Sequence, residues 1–166
     1  MGGYSAGGHL SSLYAYSRAD VSPIPVVLEI NQVGPADFHL DTWLNDTYAK
    51  SLSDEIGVTG MVSIMVNKTI TVEEMKNGKA EDLINSVSTV HFANSKSCPS
   101  LIGYGAIDQI VAQKHHEKLE AALKNAGVDY QLIFYPNSDH MLAGNKDKTD
   151  EFNNAMFAYL KKYFGY

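Results

Sequence analysis

The sequence predicts an α/β fold in which a parallel sheet is flanked by helices. Two observations carry this reading. Short, near-continuous apolar runs alternate with stretches of helical periodicity. The link between the last two runs holds a helix, the crossover that parallel strands need. A third observation refines it: a long stretch of helical character separates the first readable strand from the second.

In chain order, residues 6–18 can form a helix that buries Leu10, Leu13 and Tyr14. Residues 25–30 then give an apolar run typical of a strand covered on both faces. Between Gly34 and Ser97 the apolar residues are scattered and no strand resembles the others. Thr71 with Glu74 is a capping-box signature for a helix running into the 80s. Residues 35–97 therefore read as an insertion inside a single domain of residues 1–166, either lid-like or only an elaborated connection.

Residues 100–104 form the second strand candidate, opened by Pro99. Residues 110–126 read as a helix with Leu119, Ala122, Leu123 and Ala126 on one face, stopped by Gly127. Residues 130–135 form the third strand, ended by Pro136. A last helix begins near Thr149. Phe152, Met156 and Leu160 recur along it, Phe157 and Phe164 lie beside them, and Lys161 and Lys162 suit its final turn.

Composition narrows the function classes. The 166 residues suit one domain with a sizeable core, 45% of them hydrophobic. The net charge of −6, from 13 basic and 19 acidic residues, argues against a nucleic-acid partner. No apolar run approaches the ~18 residues of a membrane span. Cys98 is the single cysteine, so no internal disulfide forms, and it reads as a small core or edge residue. With no signal peptide visible, a cytoplasmic location is expected.

The chemistry starts at Gly3-Tyr4-Ser5-Ala6-Gly7. A serine between two glycines suits a sharp strand-to-helix turn that lifts its hydroxyl above a sheet. The competing reading is a glycine-rich loop, and the helix pattern starting directly after Ser5 weighs against it. Only four residues precede Ser5, so the strand that should feed the turn is expected to be absent. One flank of the sheet should then be exposed.

Asp108 lies just past the second strand, where parallel sheets place functional groups. Helix capping explains it equally well. His140 lies in the loop after the third strand. The order serine, aspartate, histidine matches a known arrangement for nucleophilic catalysis. Asp139 is a rival acid, but its adjacency to His140 makes a side-chain pairing harder.

Other candidates read as structural. His115 and His116 point in different helix directions and suit a surface face better than a metal site. His9 suits packing or hydrogen bonding, and His39 and His91 lack ligand spacing. Trp43 and the methionines of the insertion suit a core, with an acyl pocket as the alternative.

Residues 3–10, the run Gly103-Tyr104-Gly105-Ala106-Ile107-Asp108-Gln109-Ile110-Val111, and Asp139-His140 together resemble an esterase/lipase-like α/β-hydrolase. The resemblance covers nearly the whole chain, most loosely in the insertion, and corresponds to the C-terminal part of that fold. It implies a partial α/β-hydrolase fold, with the N-terminal strands and the His-Gly-Gly oxyanion loop not represented.

The resemblance implies Ser5 as nucleophile, Asp108 as acid, His140 as base and the Ala6 N–H as an oxyanion donor. No cofactor or metal is expected. The expected substrate is a small or medium carboxylic ester. A serine peptidase acting on short peptides and a truncated, non-catalytic module are the alternatives. The exposed flank suggests a homo-oligomer that covers it.

Overall fold

Four parallel strands lie side by side in chain order, β1-β2-β3-β4, in a computed structural model that describes residues 1–50 and 54–165. The strand expected to be absent before Ser5 is present. Gly2–Tyr4 (β1) pairs in parallel with Glu29–Gln32 (β2), Gly3 lying opposite Asn31. It was hidden because two of its three residues are glycine and carry no apolar signal. β2 starts at Glu29, later than the apolar run suggested. Its ladder begins where Gly2 and Ser100 come alongside, and residues 25–28 run in without one.

Ser100–Gly105 (β3) is buried along its whole length, as a central strand should be. Tyr130–Tyr135 (β4) pairs with it residue for residue. Helix Ala6–Ser17 (α1) packs on β1 and β2. Its Ala15 and Tyr16 join Ile102, Tyr104, Leu119 and Leu123 in the core on one face of the sheet. The opposite face is filled by Val33, Leu101, Ile133 and Tyr135 against Leu142, Phe152 and Ala155.

The inward side of α1 differs from expectation. Leu10 and Tyr14 face outward, at 62% and 40% exposure, while His9, Ser11 and Ser12 are buried. Ser11, Ser12 and one nitrogen of His9 are tolerable inside because they are paired. Ser11 Oγ donates to Glu29 Oε1 at 2.7 Å, Asn31 Nδ2 donates to Ser12 Oγ at 2.8 Å, and His9 Nδ1 meets the Pro35 carbonyl at 3.0 Å.

Between β2 and β3 lie Leu40–Trp43 (α2), Glu55–Met65 (α3), Val72–Lys76 (α4), Glu81–Val87 (α5) and a short 3-10 turn at Thr89–His91. The Thr71–Glu74 capping box forms. The helix it opens stops at Lys76 instead of continuing, because the chain turns through Gly78 with φ +78° before α5 begins. These helices gather around Phe38, Trp43, Val58, Val62, Met75 and Ile84, a core separate from the two beside the sheet.

Buried Asp37 ties this unit down through Thr42 Oγ1, His39 Nδ1 at 2.6 Å and Lys118 Nζ at 2.7 Å. Although burial opposes its charge, these partners hold the Asp37 carboxyl well below the usual range, and Asp37 raises His39 to about 9.

Lys114–Asn125 (α6) starts four residues later than the pattern suggested, because Asp108 organises the preceding turn. Gly127 ends the segment with φ +69°. Lys146–Phe164 (α7) starts earlier than expected, buries Phe152, Ala155 and Tyr159, and leaves Phe157 and Phe164 exposed. Among the described residues, no helix is long and apolar enough to cross a membrane.

Candidate active site

Ser5, Asp108 and His140 each follow the carboxyl end of a strand, β1, β3 and β4 respectively, so the topology gathers them at one end of the sheet. Ser5 sits at φ 54°, ψ −123°, a region that non-glycine residues rarely adopt. The turn is fixed on both sides. The Ser5 N–H donates to the Gln32 carbonyl at 2.8 Å, and the His9 N–H closes onto the Ser5 carbonyl at 3.0 Å. Gly3 must be glycine here, since a Cβ would meet the Gly7 backbone at 2.2 Å.

The three side chains form one hydrogen-bonded chain. His140 Nε2 lies 2.9 Å from Ser5 Oγ, and His140 Nδ1 lies 2.8 Å from Asp108 Oδ2. An Nδ1–H donating to the carboxylate leaves Nε2 free to accept from the serine hydroxyl. Asp108 is fully buried, and its Oδ1 accepts from the N–H groups of Ile110 and Val111 at 2.8 and 2.9 Å. Asp108 does not cap α6, whose N-cap is Gln113: one oxygen organises the turn ahead of the helix and the other meets the histidine. Asp139 instead accepts from the Met141 N–H on its own loop.

The histidine loop is held as tightly as the serine turn. Asn145 Oδ1 accepts from the Asn137 N–H at 2.8 Å and the Ser138 hydroxyl at 3.2 Å, and Ser138 Oγ accepts from the Gly144 N–H at 3.0 Å. Its backbone passes so close to β3 that a Cβ at Gly105 would meet the Ser138 carbonyl at 2.4 Å.

Tyr4 adds a link that the sequence did not mark. Its hydroxyl donates to the His140 carbonyl, and its ring lies edge-on to the imidazole at 5.9 Å. Burial, with Asp108 and Asp139 nearby, pushes its pKa up to about 12, so it remains a donor. A tyrosine before a serine carries no sequence signal of its own. Only the return of the histidine loop across β1 gives it a role.

Ala6 opens α1, and its N–H belongs to the first turn, which has no intrahelical acceptor. The helix N-terminus, with its partial positive charge, thus lies directly after Ser5.

The remaining histidines lie elsewhere. His115 is fully buried rather than on a surface face, because its Nδ1 accepts from the Ala36 and Asp37 N–H groups at 3.1 and 3.3 Å. Burial lowers its pKa to about 3, so it stays neutral. His116 is likewise largely buried, between Tyr104 and Phe134. Trp43 fills the core of the helical unit, and Cys98 is a buried free thiol. Among the described residues, no cluster of three or more ligating side chains could hold a metal ion.

In sequence, residues 46–166 match the prolyl oligopeptidase family, a span that includes Asp108 and His140 and begins after Ser5. No individually curated protein matches the chain. Solved structures share its fold. A truncated carbohydrate esterase from gut microbiota superposes with a TM-score of 0.66 at 19% identity, over 96% of this chain and 59% of that one. A thermophilic esterase from Thermogutta terrifontis gives 0.64 at 15%, over 97% and 53%. An acylaminoacyl peptidase from Pyrococcus horikoshii gives 0.68 at 14%, over 100% and 24%. The chain therefore spans little more than half the length of the two esterases and a quarter of the peptidase.

Proposed function

The chain belongs to the prolyl oligopeptidase family, within the α/β-hydrolase superfamily, and from that premise we propose that it is a serine hydrolase cleaving carboxylic esters of small or medium substrates. The observation that carries the proposal is the continuous chain Ser5 Oγ, His140 Nε2, His140 Nδ1, Asp108 Oδ2, with links of 2.9 and 2.8 Å. Ser5 attacks the ester carbonyl as its proton passes to His140 Nε2. Asp108 orients the imidazole and stabilises its cationic form. The Ala6 N–H, at the start of α1, donates to the carbonyl oxygen as it becomes negative. His140 then protonates the leaving alcohol, and water hydrolyses the acyl group on Ser5 by the same proton relay.

Residues 35–97 act in this reading as a lid-like unit beside the site, supported by the separate core around Phe38 and Trp43. A second copy of the chain covers the outer edge of β1.

A peptidase acting on short peptides is the second reading, favoured by the family match and by the acylaminoacyl peptidase among the similar folds. The same relay serves an amide, with His140 protonating an amine.

A fluorophosphonate probe tests the nucleophile. Wild-type protein should label and Ser5→Ala should not. A folded but unlabelled wild type would reject catalysis by this chain, and labelling that survives in Ser5→Ala would reject Ser5. Comparing p-nitrophenyl butyrate with N-acetyl-alanine p-nitroanilide then separates the two readings, with faster ester turnover expected.

A further inference from the structure

We propose that an apolar pocket beside Ser5 is the acyl-group subsite, and that it selects uncharged aliphatic acyl chains longer than acetyl. The proposal rests on the reading of Ser5 as nucleophile. The pocket encloses about 290 Å³ and its lining presents no polar surface. That is on the order of ten water volumes, room for a medium acyl chain and too little for a large polycyclic group.

Its position follows from α1. Ala6, the residue after Ser5, forms part of its wall, and Leu10 continues that wall one turn along the helix. The outward placement of Leu10, 62% exposed, gives the pocket an apolar flank open to a ligand.

The floor is Pro35 and Phe38, in a segment held at nearly every residue. The Tyr104 hydroxyl donates to the Gly34 carbonyl, and His9 Nδ1 meets the Pro35 carbonyl at 3.0 Å. Ala36 and Asp37 give their N–H groups to buried His115. The Phe38 N–H donates to Ser88 Oγ at 3.0 Å, and Trp43 Nε1 donates to the Asp37 carbonyl at 2.9 Å. A backbone tied this way gives a surface of fixed shape.

The remaining wall is of another kind. Met61 and Met65, four residues apart on α3, present unbranched thioethers that re-pack easily. A fixed floor and an adaptable wall suit chains of graded length. His9 lines the pocket too, yet its ring stands edge-on to Phe38 at 5.0 Å and its Nε2 is buried, so it offers no hydrogen bond to a ligand. A charged or hydroxylated acyl group would lose its hydration there without replacement.

The second apolar groove, which includes Met1, Tyr14 and Ile24, lies where β1 begins, at the opposite end of the strand from Ser5. It cannot serve the same carbonyl.

Two measurements test the proposal. For p-nitrophenyl esters from acetate to hexanoate, kcat/KM should rise about fourfold per added methylene, the worth of burying one CH₂. Leu10→Trp, at an exposed position, should flatten that rise, lowering the ratio of hexanoate to acetate kcat/KM about tenfold or more. A flat wild-type series, or equal losses at every chain length in the variant, would overturn the subsite. The second measurement does not depend on turnover. With methyl-¹³C methionine, hexanamide added to Ser5→Ala protein should shift the Met61 and Met65 signals and spare Met1, Met75, Met141 and Met156. Those shifts without wild-type turnover would reject the catalytic reading and keep the pocket. No shift, or a shift centred on Met1, would reject the pocket itself.

Discussion

Tyr4 joins two parts of the site that are 136 positions apart, because its hydroxyl reaches from β1 to the carbonyl of His140. It touches neither Ser5 Oγ nor a reacting atom, so its contribution is positional. The Tyr4→Phe variant keeps the ring that stands edge-on to the imidazole and removes only the hydrogen bond. One such bond is worth about 1 kcal/mol. The second-order rate of fluorophosphonate labelling should therefore fall several-fold, up to about tenfold. KM for a p-nitrophenyl ester should change little and kcat should carry the loss. An unchanged labelling rate would show that the histidine loop is held well enough by Asn145 and Ser138 alone. Asp108 carries the opposite lesson. Its two oxygens serve a turn and a histidine at once, so a substitution there moves structure and chemistry together.

The joint between α1 and β2 contains an unusual group. Glu29 is fully buried, with Oε1 accepting from Ser11 and Oε2 lacking a partner. Burial pushes its pKa up to about 7, against smaller opposing effects from Ser11, Ser12 and the Met1 amino group. The folded chain thus holds this proton more tightly than the unfolded chain does. The stability it contributes is fully present below about 4.5 and is lost as pH rises through about 7, a change of order 3 kcal/mol at most. Urea midpoints for wild type and Glu29→Gln should nearly coincide at pH 4.5, and the variant should be the more stable at pH 8.5. Equal pH dependence in the two proteins would place the titrating group elsewhere. The same joint marks where sequence reading stops. β3 and β4 were legible because central strands are apolar on both faces. Ser5, Asp108 and His140 were legible through their order and their places after strands. α1 was misread because Ser11, Ser12 and His9 find partners on β2 and the loop after it, which periodicity within the helix cannot reveal. The burial of His115 likewise depends on two backbone N–H groups far away in sequence.

Across the whole molecule, exposed apolar side chains are unevenly spread. Met1 precedes β1, Tyr14, Val21, Ile24 and Val27 belong to α1 or the connection into β2, and Phe164 shares a groove with four of these five. β1 is an edge strand and has no strand on its outer side among the described residues. An unpaired edge beside an apolar surface is a template for association. The proposed second copy should therefore appear in light scattering as a species of twice the chain mass. Ile24→Asp, at a position 80% exposed, should return it to the monomer without lowering the unfolding midpoint. Ser5 lies at the far end of β1 from Ile24's groove, so an intact monomeric variant should still label with fluorophosphonate. A wild type that is monomeric at every concentration would remove the second copy from the account. A monomeric variant that no longer labels would tie the edge to the site, because β1 leads directly into the Ser5 turn and any loosening of its three residues reaches Ser5.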